Sequence, residues 1–171
     1  MKNVVLIGMP GAGKSTIGVV LAKTLGYEFI DSDILIQRQE GKKLHELIEQ
    51  YGLEGFLKIE GQVNSDIHVQ DSVIAPGGSA VYSQKAMESL KKEGVVVYLR
   101  LSFEAISLRV GDLNQRGVAL KEGQTLYDSY CERCPLYEKY ADVVVDIEEL
   151  SIQEAVRKIR LAVQDRLEGI E

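Results

Sequence analysis

The 171-residue chain has no tryptophan and only three phenylalanines, so its core has to be built from aliphatic side chains and some of its eight tyrosines. Cysteine and histidine are equally sparse. Cys131 and Cys134 form the sequence CERC, while His45 and His68 lie far from it, which leaves too few ligands for a tetrahedral zinc site. A redox dithiol belongs at a helix start after a strand, whereas this pair precedes Pro135 in a helical stretch, so two partly buried thiols are expected. No apolar run approaches the length needed to cross a bilayer. The opening MKNVVLIGMPG is interrupted by Gly8 and Pro10 and carries no cleavage site, so it reads as a buried strand rather than a signal peptide. An excess of positive charge is also missing: 20 Lys and Arg against 26 Asp and Glu give a net charge of -6. That balance excludes a general nucleic-acid binder, whose affinity comes from clustered cations. No membrane partner, a cytoplasmic location and a monomer are the expectations.

What is present alternates. Val4 to Ile7 is a short β-branched run ending in glycine, followed by Ile17, Val20, Leu21 and Leu25 at helical spacing over Lys14 to Leu25. Further strands are expected at 28–30, 72–75, 95–99 and 143–145. Helices are expected at 34–39, over 44–67 with interruptions at Gly52 and Gly55, and at 84–92, 103–110, 125–130 and 151–167, with a break at Pro135. Gly111 to Gly123 is polar and glycine-rich and reads as a mobile loop. Strands alternating with helices imply a parallel sheet covered on both faces. Without linkers or repeats, one α/β domain spanning 1–171 accommodates the chain.

The stretch GMPGAGKS, Gly8 to Ser15, matches G-x-x-x-x-G-K-[ST] between an expected strand and an expected helix, the context in which this motif has chemical meaning. Its glycines let backbone N–H groups face a phosphate chain, and the helix N-terminus adds positive potential. Gly11, Ala12, Gly13, Lys14, Ser15 and Thr16 are therefore the candidate nucleotide-binding residues. Lys14 can reach the β- and γ-phosphates, and Ser15 can offer an oxygen to Mg²⁺. Asp31 and Asp33 close the second strand, where one carboxylate can support the metal shell and the other can orient an acceptor hydroxyl for in-line attack. Asp-Ser-Asp is also an ordinary helix N-cap sequence, and the two roles are compatible.

With these residues in place, the chain resembles the shikimate kinase family almost from end to end, through GMPGAGKST, DSD, FLKIE, GGS, QRGVAL and RCPLY. The resemblance implies a three-layer P-loop kinase fold with a five-stranded parallel sheet and a lid at about 111–123. It also implies substrate-binding helices over about 33–60, and ATP and Mg²⁺ as cofactors. Lys14, Asp33 and Arg116 would be catalytic, with Arg116 closing over the γ-phosphate. Arg109 would flank the adenine, and Ser15 and Asp31 would hold the metal. Asp33, Gly77, Gly78 and Arg133 would bind a small hydroxylated acceptor, Arg133 by pairing with its carboxylate. The reaction implied is phosphorylation of shikimate to shikimate 3-phosphate.

Three positions depart from the family pattern, one of them Gly117, which follows Arg116 where the lid would carry proline. Leu57 stands where Phe-Arg-x-x-Glu would carry a carboxylate-binding arginine, and Ser79 stands where the turn would carry a third glycine. Three readings follow: a shikimate kinase with a substitute carboxylate partner, a related kinase whose acceptor faces Leu57, and a noncatalytic nucleotide-binding module. Glu60 is expected on an exposed helix face, paired with Lys58 or Arg133. Tyr127, Tyr130, Tyr137 and Tyr140 are expected to pack on one helix face, and both histidines and the C-terminal charges to be solvated.

Overall fold

The structure, a computed structural model, describes residues 2–111 and 118–169. Five parallel strands run in the spatial order β2-β3-β1-β4-β5: β1 Asn3–Ile7, β2 Glu28–Asp31, β3 Ser72–Ala75, β4 Gly94–Arg100 and β5 Val143–Asp146. Val4 is in register with Val73 on one side and Val95 on the other. Every residue of β1 and β3 is buried, so both faces of the sheet are covered there. That burial explains why these strands read as continuous apolar runs rather than alternating ones.

The helices are α1 Lys14–Leu25, α2 Ser32–Glu40, α3 Leu44–Ser65, α4 Gln84–Glu93, α5 Phe103–Val110, α6 Leu126–Tyr140 and α7 Ile152–Leu167. Helix α1 packs on α7, β2 and β3, while α4 packs on α3, β1 and β4. Capping follows the chemistry of the flanking residues: Ser83, Ser102, Thr125 and Ser151 each accept an N–H from the first turn of their helix. Three expectations change. Helix α3 breaks at Gly52, whose φ of 71° and ψ of 175° leave the helical region, but Gly55 stays helical. Pro135 does not end α6, which continues to Tyr140, because Tyr137 and Tyr140 beyond it are anchored in the main core. A short 3-10 turn, Ala80–Tyr82, follows the glycine pair after β3. No described helix is long and apolar enough to cross a membrane.

A second, smaller cluster of Ile36, Leu47, Phe56, Val63 and Ala119 joins α2 and α3 to the chain entering α6. It stands apart from the sheet core and forms one wall of the site. The expected lid at 111–123 lies partly outside the described residues. Of its described part, Val118 and Ala119 lie over that wall and line the cavity described next.

Candidate active site

The carboxyl ends of β1, β2 and β3 open into a cavity of about 420 Å³. Gly8 leaves β1 with φ 153°, and a Cβ there would sit 2.9 Å from the Leu99 carbonyl oxygen. Gly11 has φ 83°, and a Cβ would meet Val110 Cγ2 at 3.0 Å. The loop can therefore take this path only as glycine. Gly13, also left-handed, caps α1 without any side-chain hydrogen bond, so the first N–H groups of the helix are left for a ligand. Lys14 Nζ reaches back across the loop to the carbonyl oxygens of Gly8, at 2.8 Å, and Met9, at 2.9 Å. Burial lowers its pKa to about 8, against the pull of Asp33. A half-buried cation bonded, among the described residues, to neutral carbonyls is well matched to an incoming phosphate.

Asp31 serves two neighbours. Its Oδ1 accepts the N–H of Asp33 at 2.9 Å, capping α2, and its Oδ2 accepts the Ser15 hydroxyl at 3.0 Å. Two hard oxygen donors side by side at the mouth of the phosphate loop suit Mg²⁺, which usually keeps several waters and takes phosphate oxygens besides one or two protein ligands. Asp33 lines the same cavity, and burial, reinforced by the charge of Asp31, raises its carboxyl to about 6. A carboxylate in that range is suited to accept a hydroxyl proton near neutral pH.

The opposite wall comes from Gly77, Gly78, Ser79, Phe56, Glu60 and Arg133. Gly77 is enclosed by carboxylates: a Cβ there would lie 2.5 Å from Glu60 Oε2 and 3.1 Å from Asp33 Oδ1. Gly78 is enclosed by Pro10 Cδ at 2.9 Å and Arg133 Nη1 at 3.3 Å, and its carbonyl accepts the Tyr137 hydroxyl at 2.6 Å. Arg133 is only 1 % exposed, and its Nη2 donates to the Ala119 carbonyl. Its Nε has no hydrogen-bond partner, and among the described residues no carboxylate pairs with it. An unpaired buried guanidinium invites an anion.

Several sequence expectations need correction here. Glu60 is not an exposed helix residue: it is 2 % exposed, and its Oε1 accepts the Ser79 hydroxyl at 2.6 Å. Burial raises its carboxyl to about 7, the Ser79 bond, Arg133 and Lys14 opposing and Asp33 adding to the rise. Lys58 instead points to solvent beside Glu54. The signal was available, since Glu60 follows Phe56 by four residues and precedes Val63 by three, on the buried stripe of α3. Leu57 does not line the cavity; it packs, partly buried, against the smaller cluster. Cys131 is exposed rather than partly buried, and Cys134 is half-buried, its sulfur accepting the Tyr98 hydroxyl at 3.3 Å. Tyr127 is 55 % exposed, unlike buried Tyr137 and Tyr140. His45 and His68 are exposed as expected, although His68 meets Glu93.

Arg109 lies on the outer side of the loop, its Nη1 donating to the Ala12 carbonyl at 3.4 Å. With Ala12, Thr16, Ile152 and Ala155 it lines a second cavity of about 260 Å³. Arg116 lies outside the described residues. Val118 and Ala119, from the described part of the expected lid, line the cavity. Tyr82, to which the sequence assigned no role, lies in the 3-10 turn behind it, under Arg133.

A family model of shikimate kinase matches residues 10–164 of this sequence. The chain belongs to the shikimate kinase family. It is 36 % identical over 162 residues to the shikimate kinase of Thermodesulfovibrio yellowstonii, covering 93 % of each chain. It is 39 % identical over 162 residues to that of Francisella tularensis subsp. holarctica, covering 92 % of each. Among solved structures, shikimate kinase from Acinetobacter baumannii in complex with shikimate superposes with a TM-score of 0.86 at 32 % identity, covering 98 % of this chain and 96 % of that one. The Aquifex aeolicus shikimate kinase gives 0.82 at 29 % identity over 98 % and 99 % of the two chains. As a shikimate kinase the chain is an ATP-dependent small-molecule kinase phosphorylating shikimate, and the five-stranded parallel sheet expected from sequence is the family's P-loop fold.

Proposed function

We propose that this shikimate kinase holds its acceptor between Asp33, the Gly77-Gly78 turn and Arg133, and that Arg133 is the principal partner of the shikimate carboxylate because Leu57 cannot be. The buried guanidinium, which no carboxylate among the described residues pairs, carries this reading. Asp33 accepts the proton of the 3-hydroxyl as its oxygen attacks the γ-phosphorus of ATP. The bond from that phosphorus to the β–γ bridging oxygen breaks, and ADP leaves with the electron pair. Lys14, the loop N–H groups and the α1 N-terminus neutralise the charge on the transferring group. Ser15 and Asp31 would hold Mg²⁺, which would supply charge neutralisation for the phosphates. Arg109 would lie beside the adenine in the smaller cavity, and Arg116 over the γ-phosphate. Asp31 would then combine capping with metal support, since its two oxygens face different partners.

The reading in which the acceptor is another hydroxylated metabolite rested on an apolar surface at Leu57, and Leu57 does not line the cavity. A coupled ADP-release assay with shikimate and its carboxamide tests the carboxylate assignment. Turnover of shikimate with a KM at least tenfold lower than that of the carboxamide is expected, since losing one partner of a desolvated charged pair costs about 2–5 kcal/mol. Equal KM values would assign Arg133 another role.

A further inference from the structure

The guanidinium of Arg133 has to be held in a fixed plane to receive a carboxylate through two parallel bonds, and no acidic side chain among the described residues does this. Other contacts of the guanidinium are available, hydrogen bonding with the Tyr82 and Tyr137 hydroxyls among them. Its Nη2 donates to Ala119, and its Cζ lies over the Tyr82 ring, 5.3 Å from the centroid. Tyr82 is itself pinned: its hydroxyl donates to Glu132 Oε1 at 2.6 Å. The same carboxylate accepts Lys121 Nζ at 2.8 Å and Gln124 Nε2 at 3.3 Å. Glu132 thus gathers donors from the 3-10 turn after β3 and from the segment leading into α6, the segment whose Ala119 meets Arg133. Lys121 lies over the same ring, 5.7 Å from its centroid. Its bond, followed by that from Tyr82, keeps the Glu132 carboxyl below the usual range, so the anchor is ionised at neutral pH.

We propose that Tyr82 is a positioning residue for acceptor recognition: its ring fixes the plane of the Arg133 guanidinium, and Glu132, by holding the phenol together with Lys121 and Gln124, ties that arginine to the chain at Ala119. Neither Tyr82 nor Glu132 lines the cavity, so the effect on shikimate passes through Arg133. A planar guanidinium stacks on an aromatic face and loses that orientation over an aliphatic one. The inference rests on the reading of Arg133 as the carboxylate partner, and the two are tested separately.

The experiment measures KM for shikimate and for ATP, kcat and the thermal midpoint for Tyr82→Leu, Tyr82→Phe, Arg133→Met and the double variant Tyr82→Leu/Arg133→Met. Arg133→Lys replaces Arg133→Met, alone and in the double variant, if the latter does not fold. Tyr82→Leu is expected to raise the shikimate KM ~10-fold with the ATP KM within about twofold of wild type. Tyr82→Phe, which keeps the ring and loses the hydroxyl's bonds to Glu132 and Arg133, is expected to raise it ~3-fold. In the Arg133 background Tyr82→Leu should have no further effect on the shikimate KM. A shikimate KM unchanged in Tyr82→Leu, a rise in both KM values together, or full additivity with the Arg133 variant would overturn the inference while leaving the Arg133 reading in place. An unchanged shikimate KM in the Arg133 variant would overturn both.

Discussion

The two walls of the cavity are built by different means. On the phosphate side, one continuous stretch from Gly8 to Ser15 supplies the cradle, and its shape is fixed by backbone conformations open only to glycine and by a single lysine bonded to its own loop. On the acceptor side, Asp33, Glu60, Gly77, Gly78, Ser79 and Arg133 come from four separated segments and are held by contacts among themselves and with a small satellite core. A wall made from contiguous sequence tolerates little change and can be read locally. One assembled from distant pieces can exchange residues, provided the buried charges remain bonded.

The sharpest way to break this comparison is at Lys14. Lys14→Ala is expected to lower kcat by at least ~1000-fold while leaving shikimate binding nearly intact, because the lost charge acts on the transferring phosphoryl group. Calorimetric titration of shikimate beside the turnover assay checks both halves. A variant that loses shikimate affinity as severely as turnover would show that the two walls are not separable.

A smaller effect of opposite sense on each wall would sharpen the same point. Gly11→Ala places a methyl at φ 83° and 3.0 Å from Val110, and should raise the ATP KM ~10-fold with the shikimate KM little changed. Gly78→Ala places one 2.9 Å from Pro10 and 3.3 Å from Arg133 Nη1, and should raise chiefly the shikimate KM, by ~10-fold. Because Pro10 belongs to the phosphate loop, a small ATP effect from Gly78→Ala is tolerable. A reversed pattern is not.

The same contrast explains how far the sequence could be read. Alternating apolar runs placed all five strands, and helices α1 and α5 agree with their expected limits, since periodicity and caps are local properties. Pro135 misled because the packing of Tyr137 and Tyr140 overrides the cost of a proline in α6, and that packing is invisible in a window of sequence. At the site, Lys14, Ser15, Asp31, Asp33, Gly77, Gly78 and Arg133 line one cavity. Glu60 lies on the buried stripe with Phe56 and Val63, a place that a charged side chain takes here because Ser79, nineteen residues away, bonds it. Tyr82 could not have been found at all: its importance arises from meeting α6 fifty residues later at Glu132.

The smallest expected effect concerns stability rather than turnover, and it tests the burial cost that Glu60 brings to the acceptor wall. Glu60 is raised from 4.5 to about 7 in the folded chain, burial being the main cause. Between these values the folded protein binds a proton that the unfolded chain has released. Stability from this group is therefore fully present below about pH 4.5 and is lost as pH rises through about 7. Glu60→Gln keeps an oxygen to accept the Ser79 hydroxyl and cannot ionise. The variant should thus gain on wild type as pH increases, by about 1–3 kcal/mol between pH 5 and 8. Asp33, which titrates in the same direction, and Lys14, lowered to about 8, are present in both proteins, so the difference between their denaturation curves reports Glu60 together with its coupling to these two groups. Urea denaturation of the two proteins at pH 5, 6.5 and 8 measures it. A constant difference across that range would mean that Glu60 stays ionised in the fold, with Arg133 and Lys14 outweighing its burial, and the acceptor wall would then be as electrostatically settled as the phosphate wall.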